Sequence, residues 1–225
     1  MARSERALVV DVKRCAWWLG ATTVGLGVAS YTMHLVTRAA GTNSIAALDV
    51  GDEVSLGTWF ESSLFLVAAL ALFLAGRQEP PSGRFFGWNT LAVVMLALSI
   101  DEAVSVHERV GGVVEKVVDG SGYLHYIWVV PGMIFTGVVV FGHLGWLRSL
   151  RPSTRNGMIA GGALFVSGAV GLEIAAGPLA EAKEDTLALV TLIAIEEFLE
   201  MAGLSVFIVA VLRHLQGARD AVVIR

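Results

Sequence analysis

Two kinds of residue are scarce in this sequence. Only 16% of its 225 residues are charged, whereas about 25% is usual for a soluble domain, so the chain has little polar surface to offer to water. A single cysteine, Cys15, excludes an intrachain disulfide framework and a metal site built from several thiolates. The formal net charge of −4 comes with no run of basic residues, and this argues against nucleic acid as a partner.

The sequence contains six long apolar stretches. Each has about 20 residues or more, the length that a helix needs to cross a membrane, and helices are expected because lipid offers no partners for backbone polar groups. The stretches cover residues 15–36, 56–75, 85–106, 123–147, 157–176 and 187–212. The sequence therefore predicts an all-α, polytopic membrane helix bundle of about six transmembrane helices, forming a single domain over residues 1–225.

Basic residues are distributed unevenly among the connections between these stretches. If the N-terminus is cytoplasmic, 12 of the 16 fall on the cytoplasmic side. They are Arg3, Arg6, Lys13, Arg14, Arg77, Arg84, Arg148, Arg151, Arg155, Arg213, Arg219 and Arg225. Because Lys and Arg in short loops favour the cytoplasmic side, both termini are predicted to be cytoplasmic. The predicted location is the plasma membrane, which is the inner membrane if the source is bacterial.

Acidic residues lie within or beside the apolar stretches, although a charge at the centre of a membrane helix costs about 2.5–3.5 kcal/mol on insertion scales. None of the six stretches contains Lys or Arg, so the carboxylates must be compensated by protons, a metal ion or mobile cations. Four predicted helices direct such residues to the outer half of one bundle. The candidate metal ligands are Glu61, Asp101, Glu102, His107, Glu108, Glu173, Glu196, Glu197 and Glu200.

Helical spacing tests whether these residues can share a site. Glu196 and Glu200 are four residues apart and Glu197 and Glu200 are three apart, so all three can address one place. On a regular helix His107 points about 120° away from Asp101. His107 therefore joins the site only if the helix ends or bends before Gly111 and Gly112.

An oxygen-rich ligand set favours hard or intermediate divalent ions such as magnesium, manganese or iron, and zinc becomes possible with His107. Single acids and acidic clusters alternate along the chain. This order resembles the site arrangement of di-iron carboxylate bundles, where single glutamates alternate with Glu-x-x-His motifs. Here the last cluster is Glu-x-x-Glu, and the sequence contains no Glu-x-x-His.

Three functions fit this pattern. The first is a metal-dependent membrane enzyme acting on a lipid-soluble substrate, such as a lipid or a quinone, that arrives from the bilayer. The second is a cation- or proton-coupled transporter, although Pro131 and Gly132 are the only clear helix interruption. The third is a non-catalytic membrane subunit or assembly factor, which accounts poorly for so many buried acids. The substrate and the reaction stay open.

Small residues on the fifth predicted helix indicate a close helix contact. Gly157 and Gly161 form a Gly-x-x-x-Gly pair, a spacing that lets helix backbones approach each other. The partner is either a second copy of the chain, giving a homo-oligomer, or a neighbouring helix of the same bundle. Packing within the bundle is favoured, because every multi-helix membrane protein needs such contacts.

Overall fold

The computed structural model describes residues 10–79, 83–182 and 186–223, and these residues contain no β-strand. The helices are α1 (Val12–Ala40), α2 (Leu56–Gln78), α3 (Gly83–Val104), α4 (Val106–Val114), α5 (Val129–Ser149), α6 (Pro152–Val166), α7 (Glu173–Glu181) and α8 (Leu187–Val223). A π-helical segment, Ser167–Leu172, joins α6 to α7. Arg3, Arg6 and Arg225, which contribute to the predicted orientation, lie outside the described residues.

Four of the described helices are long and apolar enough to cross a membrane. They are Leu56–Gln78, Phe86–Val104, Val129–Ser149 and Pro152–Glu181, the last of which runs through the π segment. Along α5 the large side chains of Ile134, Val138 and Phe141 are exposed, whereas soluble proteins rarely expose large contiguous apolar surfaces. The fold is therefore typical of a membrane protein.

The two remaining long helices, α1 and α8, are not among these four. α8 carries Glu196, Glu197 and Glu200 within five residues, and α1 mixes glycine, threonine and serine with its apolar residues. Three carboxylates so close together, and the polar residues of α1, each make a helix less favourable in the membrane interior. The prediction of six spans consequently stays a prediction.

Several helix boundaries differ from those predicted. α5 begins at Val129 rather than at residue 123, and Pro131 then falls in the first turn, where its missing N–H has no intrahelical role. α6 begins earlier than predicted, with Pro152 in its first turn. α7 continues past residue 176 although Pro178 lies inside it. α8 extends beyond residue 212.

Helix α8 lies at the centre of the packing, against α1, α2 and α6, while α2 also packs along α3. The largest fully buried apolar side chains include Phe65, Leu72, Trp88, Met201 and Ile208. On α2 the buried residues recur every three or four positions, as expected for one helix face turned to a core. Glu61 belongs to this same buried stripe, one turn before Phe65.

The glycine pair predicted to make a close helix contact packs against α8 of the same chain. A Cβ added at Gly161 would lie 2.6 Å from the Gly203 carbonyl oxygen and 2.7 Å from the Phe207 nitrogen. A Cβ added at Gly157 would lie 2.7 Å from the Ala210 Cβ. Packing within the bundle thus accounts for both glycines, and a homo-oligomer through this face stays a prediction.

Substitution of Gly161 by alanine is expected to destabilise the protein by about 1–3 kcal/mol, because the contacted atoms belong to the α8 backbone and cannot move separately. Gly162 provides a matched control, since a Cβ there would meet nothing within 4 Å. Gly162→Ala should change the stability by no more than about 0.5 kcal/mol. Thermal unfolding of both variants in detergent checks this expectation, and equal effects would contradict it.

Candidate functional site

A cavity of about 600 Å³ lies between α2, α3, α4, α5, the π segment and α8. All nine residues predicted from the sequence line it: Glu61, Asp101, Glu102, His107, Glu108, Glu173, Glu196, Glu197 and Glu200. None of the described residues in its wall is a lysine or an arginine. The structure therefore brings the predicted residues together around one space, while their role as metal ligands stays a prediction.

Glu61 is the most deeply buried acid of the cavity, with 1% of its surface exposed. The start of α2 is fixed by Ser55, whose hydroxyl oxygen accepts a hydrogen bond from the Thr58 N–H at 3.2 Å. This start places Glu61 on the buried face of α2. Its Oε1 atom has no hydrogen-bond partner among the described residues. A buried polar atom left in this way is costly, and this one belongs to a side chain that lines a cavity.

Two pairs of carboxyl groups lie close together in the wall of the cavity. The side chain of Glu61 is within hydrogen-bonding reach of Glu200, and that of Glu173 is within reach of Glu196. The Trp128 indole also donates a hydrogen bond from Nε1 to Glu173 Oε1 at 3.0 Å. Two carboxyl groups can bond directly only if one of them holds a proton, so each pair requires either a proton or another cation.

The break between α3 and α4 places His107 at the cavity. α3 ends at Val104, and Ser105 adopts a left-handed conformation with φ 51°, which is uncommon for a residue other than glycine. The Ser105 hydroxyl donates a hydrogen bond to the Glu53 carboxylate. Beyond the break, the His107 N–H donates to Asp101 Oδ1 at 2.7 Å, and its Nδ1 lies 3.3 Å from Asp101 Oδ2. The third helix was predicted to continue to about residue 106, whereas in the structure it ends at Val104.

The side chains of α4 have altered proton affinities. Burial lowers the pKa of His107, but the hydrogen bond to Asp101 and the negative charges of Asp101, Glu102 and Glu53 outweigh it, and the pKa lies above its usual value. Burial and the neighbouring Glu53 raise the pKa of Glu108. The α4 side of the cavity thus places an imidazole that readily takes a proton beside several carboxylates.

Glu53, Tyr126 and Trp128 also line the cavity and were not predicted as site residues. Glu53 precedes α2 in a stretch with two other acids, which is typical of a solvated loop. Tyr126 and Trp128 precede α5, where aromatic residues are usual at a membrane boundary. Their roles depend on tertiary contacts, such as those of Glu53 with Ser105 and of Trp128 with Glu173. Helical spacing carries no signal for such contacts.

The donor atoms of the cavity suit a hard divalent cation by their chemistry, since carboxylate oxygens dominate. Their present placement is looser than a coordination shell. Within the described ranges, no three side chains of His, Cys, Asp or Glu are grouped closely enough to hold a metal ion. The cavity is therefore a carboxylate-lined space with paired acids rather than a preassembled metal centre.

Fold and cavity together define a class of protein: an all-helical chain with helices of membrane-spanning length around an acidic internal cavity. Residues 16–215 match the family described as "Domain of unknown function (DUF8692)", and the chain belongs to this family. Comparison with curated proteins found no match. Comparison with solved structures found no match either.

Proposed function

We propose that this chain is a metal-dependent, multi-pass membrane enzyme whose carboxylate-lined cavity binds a divalent metal ion and acts on a lipid-soluble substrate. The observation that carries this proposal is Glu61. Its carboxylate is buried at 1% exposure, and its Oε1 has no partner among the described residues. It faces a cavity that contains further carboxylates and, among the described lining residues, no lysine or arginine. A bound cation would satisfy this atom.

The proposed topology has six spans, with both termini in the cytoplasm and the cavity in the outer half of the bundle. α1 and α8 supply the two spans beyond the four apolar helices, since their 29 and 37 residues exceed the roughly 20 needed for a crossing. The distribution of basic residues supports this orientation. The proposed location is the plasma membrane, which is the inner membrane if the source is bacterial.

The residues that would hold the metal come from α2, α3, α7 and α8. Glu61, Glu197 and Glu200 would form the inner part of the ligand set, with Glu102 and Glu173 completing it. Carboxylate oxygens favour magnesium, manganese or iron, and His107 would add a nitrogen ligand suited to zinc. A divalent ion held by these residues would supply Lewis acidity to the reaction.

The substrate is proposed to be a lipid or a quinone because the cavity is only partly polar. Leu98, Phe135, Phe165 and Val170 supply an apolar wall between α3, α5 and the π segment. Phe135 is also exposed on the outside of α5, so the same helix contacts both the cavity and the surroundings of the protein. Apolar walls with a few polar groups are usual for sites that bind lipophilic molecules.

A cation- or proton-coupled transporter is the second candidate, and one observation favours it specifically. The pairs Glu61–Glu200 and Glu173–Glu196 each need a proton when no other cation is present, and buried acids that exchange protons are common in transport pathways. The helix Pro152–Glu181 also contains a π segment and Pro178. Transporters often carry such interruptions near their ion sites.

Addition of Mn²⁺ to metal-stripped protein in detergent is expected to raise its unfolding temperature by about 5–10 °C at a hundredfold excess over the dissociation constant. Sodium chloride of equal ionic strength is the control and should give no comparable shift. A missing shift, combined with proton or cation flux in liposomes, would replace the enzyme proposal by the transporter. A missing shift without flux would contradict both.

A further inference from the structure

A second cavity of about 450 Å³ lies between α1, α6 and the C-terminal half of α8. It shares no lining residue with the carboxylate cavity, and no acidic side chain lines it among the described residues. Its wall includes Thr23, Val24, Phe198, Ser205 and two arginines, Arg151 and Arg213. Apolar and small residues dominate, and the charges are positive.

Two arginines, Arg151 and Arg213, line this cavity. Arg151 precedes α6, and its side chain extends to α8. Its Nη1 atom lies 3.0 Å from the position that a Cβ added at Gly217 would occupy. Gly217 is four residues, or about one turn, beyond Arg213, so both positions lie on the same face of α8. Two guanidinium groups at one cavity, with no acid among the described residues of its wall, are suited to binding an anion such as a phosphate.

The remainder of the cavity is apolar and long. Phe198 and Arg213 are 15 residues apart on α8, which corresponds to about 22 Å. This exceeds the thickness of one leaflet's hydrocarbon layer, about half of the 30 Å core. Val24, Phe198 and Val206 line the cavity and are exposed, so the wall is accessible from the side of the bundle. Its dimensions suit an acyl chain.

Two buried hydroxyl groups in the wall have no partner. Thr23 and Ser205 are 2% and 8% exposed, and the oxygen of each lacks a hydrogen-bond partner among the described residues. Both residues line the cavity, Thr23 from α1 and Ser205 from α8. Unpaired buried hydroxyls are uncommon in folded proteins, and they indicate a ligand that carries hydrogen-bond acceptors.

We propose that this cavity binds an anionic phospholipid of the cytoplasmic leaflet. The phosphate lies at Arg151 and Arg213, the ester oxygens accept hydrogen bonds from Thr23 and Ser205, and an acyl chain lies along the apolar wall. Basic pockets between helices at the cytoplasmic side are suited to anionic lipid headgroups. The inference rests on the membrane orientation in the proposed function and is independent of metal binding in the carboxylate cavity.

The test compares the binding of two lipids, phosphatidylglycerol and phosphatidylcholine, each with two oleoyl chains. Each lipid is added to delipidated protein in detergent, and native mass spectrometry measures how much is bound. Phosphatidylglycerol should bind more tightly to the wild type. Each arginine is expected to contribute about fivefold to the affinity, so Arg151→Gln/Arg213→Gln should weaken the binding of phosphatidylglycerol about 25-fold. Arg148→Gln/Arg155→Gln removes the same charge from residues outside the cavity and should change it by less than about twofold.

A second variant, Thr23→Val/Ser205→Ala, keeps both arginines and should weaken binding of phosphatidylglycerol and phosphatidylcholine alike by about threefold or more. Equal binding of the two lipids to the wild type, or equal losses in the two arginine variants, would overturn the proposal. Displacement of the lipid by millimolar inorganic phosphate would show a free-anion site instead and also overturn it. The Mn²⁺ shift should persist in Arg151→Gln/Arg213→Gln, which separates this outcome from failure of the metal site.

Discussion

Replacement of Glu61 and Glu197 by glutamine is expected to reduce the metal content of the purified protein to about a tenth of the wild-type value or less. Glutamine keeps the volume of the side chain but removes its charge, and a neutral amide oxygen is a weaker ligand for a hard cation than a carboxylate. The two residues lie on α2 and α8, so the double substitution removes a proposed ligand from each of these helices. Two of the carboxylates that offset the metal charge are lost together.

The measurement is elemental analysis by mass spectrometry of protein purified in detergent. Glu115→Gln/Asp119→Asn is the matched control: both residues are exposed, neither lines the cavity, and the variant loses the same charge. It should keep the wild-type metal content. Thermal unfolding of both variants verifies that the bundle is intact. Equal metal content in all three proteins would refute the assignment of Glu61 and Glu197 as ligands.

The helical organisation could be predicted from the sequence because it depends on local quantities. The start of α2 at Leu56 coincides with the predicted residue 56, where the apolar run begins. The start of α5 could not be predicted in the same way. Apolar and aromatic residues continue upstream of Val129, but there the chain forms a 3₁₀ turn, Gly122–Leu124. Hydropathy alone cannot distinguish such a turn from the end of a helix.

The grouping of acids around one space could be predicted for an energetic reason. Carboxylates without basic partners in apolar helices are stable only if they face a shared polar interior. The sequence could not predict the break at Ser105, because a left-handed residue other than glycine leaves no compositional mark. The position of His107 depended on that break. The contribution of Glu53 depended on it as well, through its hydrogen bond with Ser105.

The π segment between α6 and α7 could not be predicted from the sequence either. It places a glycine, Gly168, in contact with the part of α8 that carries the glutamates. A Cβ on Gly168 would lie 2.8 Å from the Glu196 carbonyl oxygen, 2.8 Å from Glu200 Cγ and 3.3 Å from the Glu200 nitrogen. π-helical turns occur frequently at functional sites. Here the absence of a side chain at one position allows the glutamate-bearing turn of α8 to approach closely.

Substitution of Gly168 by alanine is therefore expected to have two effects. The added methyl group must displace the α8 backbone, which should lower the stability by about 1–3 kcal/mol. The same displacement should move Glu196 and Glu200 within the cavity and weaken metal binding about tenfold or more. Gly171 lies in the same π segment, and a Cβ there would meet nothing within 4 Å. Gly171→Ala should change the stability by about 0.5 kcal/mol or less and leave metal binding intact.

Thermal unfolding and Mn²⁺ titration of both glycine variants separate packing from function. If Gly168→Ala lowers stability and metal affinity together while Gly171→Ala changes neither, the close approach of the π segment positions the glutamates of α8. If Gly168→Ala loses stability but binds Mn²⁺ as tightly as the wild type, the glycine serves helix packing alone. In that case Glu200 does not belong to the ligand set, because ligands tolerate displacements of this size poorly.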